Sequence, residues 1–179
     1  MKNLKRVLLT VAIPLMLVVT MLTLCSCDAV STLEQLLSEK PEEGSKWVYT
    51  DFSFETEDTS GAGVTLARAS AQDAARGFLH EVYNPTTESG EKYYDTLTFE
   101  DGKITRLHYT RQTSKIDGMD VYTHVDEETL DWGEYKGKKI TIDEEDFVSA
   151  HIKDGVLYVK LSTYHNDTTF AILQFELAD

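Results

Sequence analysis

The amino-acid sequence predicts an α+β protein made predominantly of antiparallel β-sheet, with about eight strands and one helix near residues 70–83. Three observations lead to this fold class. Apolar and polar residues alternate with the period of two typical of half-buried strands over most of the chain after residue 45. One segment has the helical period instead. Two Asp-Gly dipeptides, at 101–102 and 154–155, are typical of hairpin turns. An all-β, lipocalin-like barrel with the helix as a flank or lid is the alternative fold class.

The first strand is predicted from residue 46, and the helix follows a polar, glycine-rich break at 56–62. The apolar residues that recur at helical spacing are Ala67, Ala71, Ala74, Ala75, Phe78, Leu79 and Val82. Ser70 resembles a helix cap, and Pro85 ends the segment. Gly77 weakens a helix by about 1 kcal/mol relative to alanine, so a strand over 76–83 is the second interpretation.

After Glu91 the alternation predicts about seven further strands. The strand that follows the first Asp-Gly turn is expected to have Thr105, Leu107 and Tyr109 together on one apolar face. The others are centred on 93–99, 119–125, 140–142, 148–152, 157–161 and 171–177. Because the opposite face of each strand is polar, one side of the sheet is expected to meet solvent or a ligand.

Residues 1–26 have the layout of a secretory signal peptide. Lys2, Lys5 and Arg6 form a positive start, and the eighteen residues Val7–Leu24 carry no charge. The run ends in Leu24-Cys25-Ser26-Cys27, which resembles the lipobox of bacterial lipoproteins: an aliphatic residue, a variable one, a small one and the cysteine that is lipidated. A plain transmembrane anchor is the alternative.

The resemblance implies that the Cys27 thiol receives a diacylglycerol and that the chain is cleaved after Ser26. It also implies a lipid-anchored protein in the bacterial cell membrane or outer membrane, whose domain faces the periplasm or the exterior. We therefore expect a signal peptide over 1–26, a lipidated cysteine and tether over 27–45, and a single β-rich globular domain over 46–179.

The charge excludes one class of partner. The 179 residues have a formal net charge of −14, and the leader holds three positive charges and no acidic residue. Its removal therefore takes the net charge to −17, whereas a nucleic-acid-binding protein needs a basic face. The expected partners are the membrane, through the lipid, and a protein or small-molecule ligand.

The histidines are the candidate metal ligands. Two histidines on neighbouring strands, with a carboxylate, are a ligand set that suits zinc or copper, and the candidates are His108, His124 and His151. The sequence has no HxH or HExxH spacing that would fix such a site locally. Scattered surface histidines are therefore the preferred interpretation, and no cofactor is expected.

The sequence contains no recognisable catalytic motif. Both cysteines lie in the leader segment, and the chain has no Gly-x-Ser-x-Gly elbow. The acidic runs Asp126–Glu128 and Asp143–Asp146 are expected to be solvated loop ends that follow strands. The sequence therefore does not predict an enzyme.

Aromatic side chains on polar faces or in loops are the candidate binding residues, because a ring with a polar group makes a rigid contact. They are Tyr94, Tyr122, Trp132 and Tyr135. The predicted function is a lipid-anchored binding or interaction module. Two alternatives stay open: an envelope metal-handling protein or hydrolase that uses histidines and acidic residues, and a purely structural lipoprotein.

Overall fold

The computed structural model describes residues 36–84, 88–163 and 168–178. The chain divides into two compact units, Met1–Leu37 and Ser38–Asp179. In the first unit the described residues are Leu36 and Leu37, which are helical and exposed. The predicted signal peptide and Cys27 lie outside the described residues. In the part of the chain that is described, no helix is both long enough and apolar enough to cross a membrane.

The described residues of the second unit form ten strands and one helix. In chain order they are β1 (Ser45–Thr56), α1 (Gly61–Ala75), β2 (Leu79–Asn84), β3 (Ser89–Tyr94), β4 (Thr96–Glu100), β5 (Lys103–Ile116), β6 (Met119–Lys136), β7 (Lys139–Ile142), β8 (Phe147–Lys153), β9 (Val156–Ser162) and β10 (Thr169–Leu177).

Eight strands form one antiparallel sheet in the order β7-β6-β5-β4-β1-β10-β9-β8. β7 and β8, the two ends of this order, pack against each other, so the sheet curls into a nearly closed, barrel-like form. β2 and β3 form a separate antiparallel pair that packs on β5 and β6. The predicted fold class is confirmed, and it has features of both alternatives: the helix of the α+β prediction and the closure of the barrel.

Both predicted hairpin turns are present. Asp101 and Gly102 connect β4 to β5, and Asp154 and Gly155 connect β8 to β9. All four residues have φ between 51° and 76°, the left-handed region that a tight two-residue hairpin requires. A third turn of the same kind, at 117–118, connects β5 to β6.

The predicted helix exists but lies earlier in the chain. It follows the N-cap Ser60, whose hydroxyl accepts a hydrogen bond from the Gly63 amide at 3.0 Å, and it ends at Ala75. The second half of the prediction over 70–83 is wrong, because β2 begins at Leu79. The strand that the sequence allowed over 76–83 is closer to the structure.

The displacement of the helix has a physical cause. The buried face of α1 consists of the small residues Gly63, Ala67, Ala71 and Ala75, which let the helix lie close to β1 and β10. Such a face carries little apolar signal in a sequence. The larger apolar residues that follow at helical spacing are recruited into the core from β2 and the turn before it.

β5 buries the face opposite to the one predicted. Ile104 and Arg106 are buried, whereas Thr105, Leu107 and Tyr109 are only partly buried. Arg106 lies on the strand face that the sequence predicts to be polar and to meet solvent or a ligand. In the structure the arginine has partners in the core, and these are described below.

β6 continues to Lys136, well past the predicted strand end at Val125. The acidic residues Asp126–Glu128 are therefore exposed strand residues and do not form the predicted loop end. β5 pairs with β6 from Met119 to Glu134, whereas β7 pairs only with the last four residues of β6.

Aromatic rings fill the sheet interior. Phe78 lies 5.7 Å from Tyr49, 5.8 Å from Trp132 and 5.7 Å from Phe175, measured between ring centroids. These rings belong to one buried cluster that includes side chains from β1, β4–β10 and the end of α1. Close-packed aromatic rings fill the interior of the sheet, so we expect a ligand-binding site at the rim of this core.

The compact domain begins at Ser38, whereas the sequence analysis placed its start at residue 46. The buried Ser38 hydroxyl accepts a hydrogen bond from the Ile152 amide at 2.9 Å, and the Glu39 amide donates to the Ile152 carbonyl at 2.8 Å. Glu43 accepts a 2.5 Å hydrogen bond from the Tyr135 hydroxyl, which lowers the pKa of this glutamate. Residues 38–45 therefore belong to the folded domain.

Candidate functional site

Asp95 lies at the centre of a buried polar group. It is the single residue between β3 and β4, and it is fully buried. Its amide donates to the Phe78 carbonyl at 3.0 Å, and its carbonyl accepts from the Tyr49 amide at 3.0 Å. These two backbone bonds fix the position from which its carboxylate extends.

Arg106, on β5, is the counter-ion of this carboxylate. Its Nε donates to Asp95 Oδ2 at 2.6 Å, and its Nη2 donates to the Gly77 carbonyl at 2.6 Å. The guanidinium lies 3.8 Å from the ring centroid of Phe78, a cation–π geometry. Its Nη1 lies 3.7 Å from a carboxylate oxygen of Glu144. The buried cation thus has an ionic partner, a carbonyl and an aromatic face.

His108, two residues further along β5, shares the same carboxylate oxygen. Its Nδ1 lies 2.9 Å from Asp95 Oδ2 and 3.3 Å from Arg106 Nη2. A guanidinium nitrogen only donates and a carboxylate only accepts, so a protonated Nδ1 donates to Asp95, whereas an unprotonated Nδ1 accepts from Arg106. The side chain is 25% exposed, which connects the buried carboxylate to solvent.

His80, on β2, approaches the other oxygen. Its Nε2 is buried and lies 3.2 Å from Asp95 Oδ1, within ion-pair distance, but among the described residues it has no well-aligned hydrogen bond. Burial lowers the pKa of His80, an effect that the neighbouring Asp95 opposes. The His80 and His108 rings lie 5.3 Å apart. We call His80, Asp95, Arg106 and His108 the Asp95 cluster.

Two tyrosines extend the cluster toward the surface. The Tyr109 amide donates to Asp95 Oδ1 at 3.3 Å, and its ring lies 6.4 Å from His80 and 5.5 Å from Tyr93. Burial raises the pKa of Tyr109, and the nearby Glu127 and Asp95 raise it further. The Tyr93 hydroxyl donates to Glu91 at 2.6 Å. Together the rings form a partly exposed aromatic rim beside His80.

The arrangement offers ligand atoms of the right kind for a metal ion. One nitrogen from each of His80 and His108 and one oxygen from Asp95 all lie within 4.8 Å of one another. It also offers hydrogen-bond donors and acceptors to a small polar ligand that reaches His108.

Of the three predicted metal candidates, His108 alone takes part in this group. His124, on β6, is exposed, and its Nε2 lies 3.3 Å from Asp126. His151, on β8, stacks on Tyr158 with ring centroids 5.1 Å apart. The structure therefore joins His108 to His80, which the sequence analysis did not select, and brings neither of the other two candidates to the site.

The predicted aromatic binding residues are mostly elsewhere. Trp132 is buried in the core, and its Nε1 donates to Glu144 at 2.6 Å. Tyr135 is buried, with its hydroxyl on Glu43, so neither is a surface contact. Tyr94 is 37% exposed and directly precedes Asp95. The Tyr122 side chain lies outside the described residues.

Sequence reasoning missed His80, Asp95 and Arg106. The sequence does contain one signal for them, the alternation Ile104-x-Arg106-x-His108, in which polar residues continue an apolar strand face. The other two residues are brought in by β2 and by the β3–β4 junction, whose placement depends on tertiary packing.

Two surface grooves lie away from the Asp95 cluster. One, of about 320 Å³, lies along β5–β7 and includes Lys103, Asp131 and Gly133 in its lining. The other, of about 230 Å³, lies beside the start of α1 and includes Leu66 and Thr169. Neither brings together two histidines or a buried charge.

No family model matches this chain, and no curated protein and no solved structure is significantly similar to it.

Proposed function

We propose that this protein is a lipid-anchored protein of the bacterial cell envelope, and that its β-rich domain is a binding module with the Asp95 cluster as its site. The anchor is the Cys27 lipid, and the domain faces the periplasm or the exterior. The ligand is a small molecule or a group on a protein partner that reaches His108 at the edge of the core.

The leader supports the anchor. A positive start, an uncharged run and a small residue directly before Cys27 occur together in one segment. Ten residues, 28–37, separate Cys27 from the compact unit that begins at Ser38, so a tether would reach at most about 35 Å when fully extended. The acidic domain is repelled by anionic headgroups, so lipid has to provide the attachment.

One observation carries the binding role: among the described residues, the buried Nε2 of His80 has no well-aligned hydrogen bond, although it lies 3.2 Å from Asp95 Oδ1. Buried polar atoms without partners are rare in folded proteins, because each costs about 1–3 kcal/mol. A buried polar atom of this kind, close to a partly exposed histidine, supports a ligand-binding site over a purely structural ion pair.

The anchor is tested by metabolic labelling with a clickable palmitate analogue. We expect label on the wild-type chain and on the Cys25→Ala variant, and no label on Cys27→Ala. Membrane fractionation of the same samples should show unprocessed precursor for Cys27→Ala. Label that persists in that variant, or that moves to Cys25, would refute the assignment.

The binding role is tested by site-specific photocrosslinking in intact envelopes. A benzophenone amino acid replaces Tyr94, which adjoins Asp95, or Val148 on β8, which is similarly exposed at 41%. We expect an adduct from position 94 that disappears with His108→Ala, and none from position 148. Equal amounts of adduct at both positions, or an adduct at position 94 that persists in His108→Ala, would favour the structural lipoprotein instead.

Metal handling is the second candidate function, because two imidazoles and a carboxylate converge within the Asp95 cluster.

A further inference from the structure

We propose that His80, Asp95 and His108 form a binding site for one divalent transition-metal ion, with zinc the ion that this ligand set fits. The inference rests on the proposed binding role of the Asp95 cluster, and names the class of ligand. It does not depend on the lipid anchor.

The spacing of the three ligand groups is the first argument. His80 Nε2 lies 3.2 Å from Asp95 Oδ1, and His108 Nδ1 lies 2.9 Å from Asp95 Oδ2. Ligand atoms about 2.0 Å from a tetrahedral zinc ion are about 3.3 Å from one another. The 3.2 Å separation of His80 Nε2 and Asp95 Oδ1 is close to this value, and one ligand atom from each of the three residues lies within 4.8 Å of the other two. Side-chain movements are therefore enough to seat an ion.

The buried His80 nitrogen is the second argument. Its Nε2 lies 3.2 Å from Asp95 Oδ1 but has no well-aligned hydrogen bond among the described residues. An imidazole nitrogen binds a metal through its lone pair, so an ion beside Asp95 Oδ1 gives Nε2 a well-aligned partner. The lone pair is therefore available where the other two ligands converge.

Because Arg106 binds one oxygen of the Asp95 carboxylate, the two oxygens have different partners. Arg106 holds Asp95 Oδ2 at 2.6 Å, next to His108 Nδ1. Oδ1, in contrast, faces His80 and accepts a hydrogen bond from the Tyr109 amide at 3.3 Å. The guanidinium of Arg106 also lies 3.7 Å from the Glu144 carboxylate and stacks on the ring of Phe78. The guanidinium thus orients the metal-binding carboxylate, as outer-shell partners of metal ligands do.

His108 determines how an ion enters and leaves. Its side chain is partly exposed, whereas His80 and Asp95 are buried, so the path from solvent passes His108. The tautomer that binds the ion through Nδ1 carries its proton on Nε2. Water from the exposed side supplies the fourth ligand.

The ligand types select the class of metal. Calcium takes six to eight oxygen ligands, and magnesium takes an octahedral, oxygen-rich shell. Two imidazole nitrogens and one carboxylate oxygen suit zinc and its first-row neighbours instead. Zinc is the ion we assign, because it accepts a four-coordinate site of this composition.

The test uses the full chain, expressed without a polyhistidine tag, purified in detergent and stripped of metal with a chelator. Zinc chloride is titrated by calorimetry, and cobalt chloride is titrated in parallel, because Co²⁺ in a tetrahedral nitrogen–oxygen site absorbs visible light. We expect one equivalent of each ion to bind. His108→Ala and His80→Ala should weaken zinc binding by about 100-fold or more, since each removes a direct ligand.

His124→Ala is the matched control, because His124 also has a carboxylate neighbour but is exposed on β6. It should bind zinc as the wild type does. Circular dichroism checks that the variants fold, and His108→Ala, at the partly exposed ligand, keeps the test decisive if His80→Ala does not. The inference is overturned if the wild type binds no stoichiometric zinc, if both ligand variants keep full affinity, or if His124→Ala abolishes binding.

The two proposals fail separately. Absence of zinc binding together with His108-dependent crosslinking from position 94 would leave a binding module for another ligand. Zinc binding without such crosslinking would leave the metal site and remove the partner.

Discussion

Replacement of Arg106 by methionine should destabilise the domain by about 4 kcal/mol. The variant leaves the Asp95 carboxylate fully buried without its counter-ion, and breaking one half of a buried ion pair costs about 3–5 kcal/mol. Loss of the bond to the Gly77 carbonyl and of the stacking on Phe78 adds about 1 kcal/mol each. The hydrogen bond from His108 and the packing of the methionine offset part of this loss.

The matched control is Arg76→Met. Arg76 pairs with Asp73 at 2.7 Å, a distance close to that of the buried pair, but the two side chains are 67% and 69% exposed. Exposed pairs at this helical spacing contribute about 0.5 kcal/mol or less. Urea denaturation followed by circular dichroism gives the free energy of unfolding of both variants.

The reasoning is refuted if Arg106→Met loses less than about 1 kcal/mol, or if it loses no more than the Arg76 variant. The double variant Asp95→Asn, Arg106→Met provides a second check. Because the two residues are in direct contact, its loss should be smaller than the sum of the single losses by about 1–3 kcal/mol. Additive losses would mean that the pair does not act as a unit.

Three further outcomes are expected. Burial raises the pKa of Tyr49 to about 12, so the unfolded chain releases that proton first, and stability should fall between about pH 10 and 12 by about 2–3 kcal/mol. Urea midpoints across this range should decline less in Tyr49→Phe, and an equal decline would contradict the assignment. Gly133→Ala places a Cβ 2.2 Å from the Thr141 carbonyl and should cost about 2–3 kcal/mol in urea unfolding, whereas Gly61→Ala meets nothing within 4 Å and should change stability by less than about 0.5 kcal/mol. Ser38→Ala leaves the buried Ile152 amide on β8 without its hydrogen-bond acceptor, so it should lower the free energy of unfolding by about 1–3 kcal/mol and speed hydrogen exchange at that amide. An unchanged urea midpoint would mean that residues 38–45 do not contribute to the folded domain.

The sequence predicted those parts of the fold that depend on local chemistry. The turns at 101–102 and 154–155 were predictable because a left-handed Asp-Gly pair is a property of the dipeptide itself. The helix was misplaced because its buried face is made of alanine and glycine, while Phe78, Leu79 and Val82 imitate helical spacing. Packing, which recruits those three apolar residues beyond the helix, decides between the two interpretations.

The site was predictable only through His108. Its neighbour Arg106 lies on the strand face that was predicted to be polar, and its burial depends on the ion pair with Asp95, the residue between β3 and β4. His80 joins them from β2, 28 residues earlier in the chain than His108. Contacts of this kind produce no periodic pattern, so they cannot be predicted from a single sequence.

The unequal lengths of β6 and β7 affect how copies of this protein meet one another. Residues 119–132 of β6 have β5 as their ladder partner on one side, and in the described sheet no strand is hydrogen-bonded on the other. An edge of this length without ladder partners invites pairing with the same edge of another molecule, and the proposed membrane tether would raise the local concentration. The stretch, however, carries the exposed side chains of Asp126, Glu127, Glu128 and Asp131. Two such edges would bring eight carboxylates together, so electrostatic repulsion opposes their pairing.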